Sequence, residues 1–248
     1  MDFRINSEHL GNSEISAVCV IPARSGSKGL PDKNIRNLGK MPLLAYPIQT
    51  ALKSRYVDRV LCSTDSEHYA NIAQSFGAEV PFLRSSSLSG DEVNSVDVVL
   101  DLINKCGLED YDYVIMLEPT SPFTSYKDVD AGLELLASNP IATSIISISE
   151  SVSGHPHFTF KLSSESFIHP FENKEWRFLR RQELSELYFQ DGSFYASKLH
   201  ELIDKRSFVT NNTLGYPLPK WKSFEIDDEL DFKIAEVIHK LYLEEKIL

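Results

Sequence analysis

Two short stretches far apart in the chain carry the residue types that could do chemistry. Between Arg24 and Lys33, the run Arg24-Ser25-Gly26-Ser27-Lys28-Gly29-Leu30-Pro31-Asp32-Lys33 holds two glycines, two serines and three cations within ten positions. Backbone amides in such a turn can converge on an anion because no side chain blocks the approach, and Arg24, Lys28 and Lys33 add full positive charges. No Gly-Lys-Ser/Thr closes the run, so it is not a P-loop, and it is not the Gly-x-Gly-x-x-Gly dinucleotide turn. Much later, Glu225-Ile226-Asp227 sets two carboxylates two positions apart, which on a strand puts both on one face. They could hold magnesium, which takes one or two carboxylates plus water and substrate phosphate. The same acids also fit a helix start, with Asp227 or Asp228 as the cap and Glu229 and Asp231 favoured by the dipole. A cationic loop and a metal together would suit a nucleoside triphosphate, whose transfer at phosphorus depends on positioning and charge neutralisation.

Other chemistries find no anchor. His155, His157 and His169 lack ligand spacing on a helix, and there is no Gly-x-Ser-x-Gly elbow. Cys19, Cys62 and Cys106 show no paired spacing and read as thiols in a reducing compartment. A net charge of −11 argues against a nucleic-acid partner, although a small anion can still bind where cations cluster. No apolar run approaches the roughly 20 residues that cross a bilayer. Residues 1–14, with Asp2, Glu8 and Glu14, read as a loose extension and not a signal peptide, so a cytoplasmic location is expected.

The elements that must position these stretches follow from periodicity. Ala17 to Ile21 reads as a buried strand. A helix with Leu43, Leu44, Ile48, Ala51 and Leu52 on one face follows the loop, with Pro42 and Pro47 near its first turn. Arg59 to Asp65 is a second strand ending in hydroxyls and an acid. A helix carrying Tyr69, Ile72, Ala73 and Phe76 stops at Gly77, and Glu79 to Leu83 reads as a third strand. Ser95 can cap the next helix, with Val96, Val99, Leu100 and Ile103 on its face. Tyr113 to Leu117 is a fourth strand, Lys127 to Ser138 a helix, and Ala142 to Ile148 a β-branched run. Ser149 to Arg181, rich in Ser, His and aromatics such as Phe158, Phe160, Phe167, Phe171, Trp176 and Phe178, reads as a hairpin-like insertion whose aromatics close a core or face another subunit. Strands at Ser193 to Ala196 and Ser223 to Ile226 precede a terminal helix with Leu230, Ile234, Val237, Ile238 and Leu241 on one face.

Strands alternating with amphipathic helices need crossover connections and hence a mostly parallel, doubly wound α/β sheet. At 248 residues one such domain, spanning 15–248 with an insertion at about 141–190, is an ordinary size. Ligands in these sheets sit outside the carboxyl ends of the strands, where Arg24, Asp65, Arg84 and Glu118-Pro119-Thr120-Ser121-Pro122 all fall.

The motifs Ile21 to Gly29, Lys33-Asn34, Ser63-Thr64-Asp65, Leu83-Arg84, Pro119-Thr120-Ser121-Pro122, Arg181-Gln182, Gly192 to Tyr195 and Ile226-Asp227 occur in the order seen in acylneuraminate cytidylyltransferases. The chain resembles these CMP-sialic acid synthetases, and their relatives acting on legionaminic and pseudaminic acids, from about residue 17 to 240. The resemblance implies a homodimeric, Mg2+-dependent transferase of the nucleotide-diphospho-sugar transferase fold, which joins CMP from CTP to the anomeric hydroxyl of a nonulosonic acid and releases pyrophosphate. It implies that Arg24 and Lys33 hold the triphosphate, with Ala23, Ser27 and Lys28 in the same loop and Asn34, Arg84 and Ser95 around the cytidine. Glu118, Thr120, Ser121, Arg181, Asp191 and Tyr195 would lie about the sugar, Glu225 and Asp227 would hold the metal, and residues 141–190 would form the dimerisation arm.

Three residues depart from the family pattern. Glu118 stands where the sialic acid enzymes carry glutamine, Asp191 where they carry asparagine, and Glu225 where they carry aspartate. An added carboxylate repels a sugar carboxylate and attracts hydroxyls or an amine, which points to a modified relative of N-acetylneuraminate. Two alternatives stay open: a cytidylyltransferase for an eight-carbon 2-keto-3-deoxy sugar acid, and a CTP-binding regulatory homologue without turnover.

Overall fold

The computed structural model describes residues 15–90, 92–151, 154–171 and 180–244. The expected extension at 1–14 and the aromatics Trp176 and Phe178 lie outside the described residues, as does the side chain of Arg181. Along the chain, β1 (Ala17–Pro22) leads into the cation-bearing loop. A two-residue ribbon, β2 (Asn37–Leu38) and β3 (Met41–Pro42), precedes α1 (Ala45–Lys53). Then come β4 (Val57–Ser63), α2 (Glu67–Ser75), α3 (Ser95–Cys106), β5 (Tyr113–Leu117), α4 (Tyr126–Ser138) and β6 (Ser144–Glu150). The insertion carries an antiparallel pair, β7 (Phe160–Leu162) and β8 (Ile168–Pro170). The chain closes with β9 (Tyr188–Lys198), α5 (Leu199–Lys205), β10 (Thr213–Pro217) and α6 (Glu229–Leu243).

Among the described residues, six strands form the central sheet in the order β10-β6-β9-β5-β1-β4. β1 runs parallel to β4 and β5, β10 runs parallel to β6, and β9 alone is antiparallel to both its neighbours. The mostly parallel, doubly wound reading holds. In register, Val20 sits opposite Leu61 on one side and Met116 on the other. Successive residues of β1 face opposite layers, as strand geometry requires. Ala17, Cys19 and Ile21 join Ile48 and Ala51 of α1 and Val129, Leu133 and Leu136 of α4 in one core. Val18 and Val20 join Val96, Val99 and Ile103 of α3 and Leu199 and Leu202 of α5 in the other. A strand buried on both faces must read as a continuous apolar run, and Ala17 to Ile21 does.

A third cluster does the positioning. Leu30, Leu38 and Leu43 from the segment after β1 pack with Ile226, Phe232 and Ala235 from the carboxyl-terminal region and with Phe123. The cationic loop and the late acidic pair are thereby held side by side across nearly 200 residues of sequence. Among the described residues, no helix is long and apolar enough to cross a membrane.

Several expectations need correction. Glu79 to Leu83 is not a strand: Glu79 alone bridges Leu61, with Glu79 N–H on Val60 and its carbonyl taken by Cys62. Pro81 has no N–H to continue that ladder at the sheet edge. Ser223 to Ile226 forms no strand; Ile226 N–H donates to the Thr120 carbonyl at 2.9 Å, and the Ile226 carbonyl accepts from Lys33 Nζ. The cap of α3 is Asn94, whose side chain accepts from Val96 N–H at 3.0 Å, and Ser95 is the first helical residue. Pro47 lies in the first turn of α1, whereas Pro42 belongs to β3. Neither β10 nor α5 carries a periodic signal strong enough to have been expected.

Candidate functional site

β1 stops at Pro22, and its direction is carried one residue further by Ala23 N–H donating to the Ser63 carbonyl at 2.9 Å. The loop is then pinned by its neighbours. Ser25 N–H and Ser25 Oγ donate to the two Asp65 carboxylate oxygens at 2.7 and 3.2 Å, and Asn34 Nδ2 donates to the Arg24 carbonyl at 3.0 Å. Gly26 takes a φ of 75°, a left-handed conformation that costs a side-chain-bearing residue. Gly29 is required for contact: a Cβ there would stand 2.6 Å from the Asp227 carbonyl oxygen.

Behind this loop lies a cavity of about 490 Å³ at the carboxyl ends of β1 and β5, where Pro22 and Glu118-Pro119-Thr120 line it. Of the residues singled out in the sequence, Arg24, Ser27, Lys28, Lys33, Asn34, Arg84, Ser95, Glu118, Thr120 and Asp227 line it. Arg24 Nη1 reaches the Ser89 carbonyl at 3.5 Å. Arg84, held by its N–H on the Thr64 carbonyl, is only 6% exposed. Its Nε and Nη2 are buried with no hydrogen-bond partner among the described residues. Burial pulls the guanidinium pKa down, against the opposing attraction of Asp65. Orphaned buried donors are uncommon in folded proteins, and here they border a cavity, where a ligand acceptor would satisfy them.

On its acidic side Glu118, Thr120 and Asp227 line the cavity, while Glu225 and Tyr195 belong to the same cluster without lining it. Thr120 Oγ1 lies 3.5 Å from both the Glu118 and the Glu225 carboxylates. Burial first, and the Glu225 carboxylate second, push the Glu118 carboxyl up to about 7. Burial and Asp227 raise the Glu225 carboxyl. Lys33 Nζ donates to the Ile226 carbonyl at 2.8 Å and to Asp227 Oδ1 at 3.1 Å. Tyr195 is buried with its hydroxyl accepting from Gln190 Nε2 at 2.9 Å, and burial and Glu118 raise its pKa.

Other predicted residues sit elsewhere. Ala23 and Ser121 are buried beside the loop ends, Ser121 Oγ donating to the Gly192 carbonyl at 3.3 Å. Asp191 is a buried acceptor hub, taking Ser147 Oγ, Ser149 Oγ at 2.9 Å and Ser193 N–H at 3.0 Å, and does not line the cavity. Arg181 opens a short 3-10 turn within the insertion. Asp228, not Asp227, caps α6: its carboxylate accepts Asp231 N–H at 2.9 Å, and the Asp231 carboxylate accepts the N–H groups of Asp227 and Asp228. The Asp227 carboxylate is thus left for the cavity. Sequence reading passed over the lining residues Leu88, Gly90, Val93 and Val98; the serine- and glycine-rich run from Ser85 to Gly90 was the only signal for that wall.

The donor chemistry of Glu225 and Asp227 suits a hard divalent cation, which takes carboxylate oxygens and would relieve the repulsion that the Asp227 carboxylate exerts on the buried Glu225 carboxyl. Among the described residues no cluster of three or more His, Cys, Asp or Glu side chains is arranged to hold a metal, so substrate oxygens would have to complete the shell.

Fold and site together are those of an α/β protein of the nucleotidyltransferase type. A CMP:2-keto-3-deoxy-manno-octonic acid synthetase complexed with CTP superposes with a TM-score of 0.67 over 92% of this chain and 99% of its own, at 17% identity. A cytidylyltransferase from Leptospira borgpetersenii gives 0.61 at 16% identity, over 94% of this chain and 90% of its own. The chain belongs to the cytidylyltransferase family, whose sequence profile, described as Cytidylyltransferase, matches residues 18–211. It is 33% identical to an N-acylneuraminate cytidylyltransferase of Streptococcus agalactiae serotype V over 87% of this chain, and it spans about half (51%) of that longer protein. It is 32% identical to the CMP-N,N'-diacetyllegionaminic acid synthase of Legionella pneumophila over 90% of this chain and 96% of that one. A pseudaminic acid cytidylyltransferase of Campylobacter jejuni is 28% identical over the same shares.

Proposed function

We propose that this chain transfers CMP from CTP to the anomeric hydroxyl of a nonulosonic acid, releasing pyrophosphate, as a cytoplasmic homodimer. The observation that carries the reading is the buried Arg84 guanidinium with two unpaired nitrogens bordering a cavity that Arg24, Lys28 and Lys33 also line. Unpaired planar donors suit the acceptor atoms of a base, and the three flexible or forked cations suit phosphates. The relatives named for sialic, legionaminic and pseudaminic acids support a nine-carbon sugar acid as acceptor.

In this reading Arg24 and Lys33 grip the triphosphate, and their fixed charges offset the negative charge that builds on the departing pyrophosphate without reorganising. Glu225 and Asp227 would hold Mg2+, which supplies further charge neutralisation and polarises the α-phosphate. Glu118 and Thr120 line the acidic end of the cavity, where they orient the sugar so that its anomeric oxygen faces phosphorus in line. The exposed insertion hairpin supplies the dimer contact.

Pyrophosphate release measured across a substrate panel tests this. Release from CTP that requires both Mg2+ and a nonulosonic acid, with the CMP-sugar mass in the product, is the expected result. Release only with an eight-carbon 2-keto-3-deoxy acid, or only with a hexose 1-phosphate, overturns it.

A further inference from the structure

We propose that Lys33 is the resident counter-ion of Asp227, so that a divalent cation gains this carboxylate together with the nucleotide and not before it. The inference rests on the nucleotide reading above and adds an order to it. Lys33 leaves the loop after β1, crosses to the segment before α6, and is only 13% exposed, while the Asp227 carboxylate is 72% exposed. Its ammonium spends two of its three donors there, on the Ile226 carbonyl at 2.8 Å and Asp227 Oδ1 at 3.1 Å.

A compact ammonium this close to a carboxylate oxygen occupies the ground a divalent ion would take. The ion must then either evict it or sit a few ångströms from another positive charge, where like-charge repulsion at partial burial is substantial. A triphosphate changes the balance. Lys33 lines the same cavity as Arg24, Lys28 and Arg84, so phosphate oxygens arriving there offer the ammonium a new partner and release Asp227. The peptide that carries Asp227 does not need Lys33 to stay in place, because Ile226 N–H is held by the Thr120 carbonyl and the Asp227 and Asp228 N–H groups by Asp231. Nucleotide and metal therefore bind with positive coupling, and by reciprocity each raises the affinity of the other.

The test is Mn2+ binding to the nucleotide-free full chain, read by electron paramagnetic resonance. The variants are Lys33→Met, Lys33→Gln and the double variant Lys33→Met with Asp227→Asn, each checked for a cooperative melt. Both Lys33 variants are expected to bind Mn2+ at least about 5-fold more tightly than the parent, the lower end of usual coupling factors. The gain should vanish in the double variant. Equal affinity of the parent and both single variants, or a gain that survives Asp227→Asn, overturns the proposal. A thermal-shift arm with CTP keeps the two readings apart: CTP that stabilises none of these proteins, with or without Mn2+, overturns the nucleotide reading itself, and this inference falls with it.

Discussion

Burying a guanidinium with two unpaired nitrogens costs the folded chain free energy that a hydrogen-bonded ligand would return, on the order of 1–3 kcal/mol for each unsatisfied group. Arg84 is in that position, and Met, of similar length and without donors, removes the cost. Arg84→Met is therefore expected to raise the Tm of the ligand-free protein by about 2–4 °C, equivalent to about 1 kcal/mol at this size, while abolishing stabilisation by CTP. Calorimetry with and without CTP checks both halves, and a lowered Tm would assign Arg84 to the fold instead. Glu118 gives a pH signature by the same kind of argument. Its carboxyl is raised to about 7 by burial, from an ordinary value of 4.5. Below the ordinary value both folded and unfolded chains are protonated and nothing is lost. As pH climbs through that window toward about 7, the unfolded chain sheds the proton while the folded chain keeps it, so stability falls. Glu118→Gln is expected to remove this fall, so that its Tm advantage over the parent grows between pH 5 and pH 8. A constant difference across that range would mean Glu118 is not held in its neutral form.

At the scale of an element, the start of α6 separates two roles that adjacent acids had left open. The Asp228–Asp231 capping box satisfies orphan N–H groups of the first turn, and Asp227 faces Lys33 and the cavity. Asp228→Ala should cost about 1 kcal/mol of stability in chemical denaturation and leave turnover nearly unchanged. Asp227→Ala removes the exposed partner of the Lys33 ammonium, which keeps the Ile226 carbonyl, so stability should move little while CTP turnover falls by at least about 100-fold. Which acid caps was not legible in the sequence, because Asp227 and Asp228 have the same chemistry and a one-residue shift exchanges them. The burial of β1 was legible, since a strand covered on both faces must be apolar at every position. The strand expected at Glu79 was not, because its fate depended on lying beyond β4 at the sheet edge with Pro81 two residues on. Asp191, expected in the site, shows the same limit outside it: its neighbours Ser147 and Ser149 come from β6 and turn it into a buried acceptor, a pairing that no local pattern announces. What the sequence did carry was the composition of the loop, since three cations with two glycines have few structural uses.

At the scale of the whole molecule, the described residues of the insertion and the start of β9 include several exposed large apolar side chains. Leu162, Phe167, Ile168 and Phe171 on the β7–β8 hairpin are 71%, 67%, 62% and 54% exposed, and Tyr188 and Phe189 at the start of β9 are also exposed. A short hairpin cannot bury both its faces within one chain, and a concentration of large side chains of this kind is normally covered by a partner. A second copy meeting it would bury apolar area while bringing together two molecules that each carry a net charge of −11. Attraction is then short-ranged and insensitive to salt, whereas repulsion is long-ranged and screened over about 10 Å at 0.1 M salt. Dimerisation should consequently tighten as salt rises, the reverse of an association held by opposite charges. Sedimentation equilibrium is expected to give twice the 28.1 kDa chain mass, with a Kd that falls between 0.05 and 0.5 M NaCl at the ~ scale of a few-fold to ten-fold. Phe167→Asp with Ile168→Asp, both on exposed positions, should return a folded 28.1 kDa monomer. A monomeric parent at all salt concentrations, or an association that weakens with salt, would refute an apolar, self-associating arm.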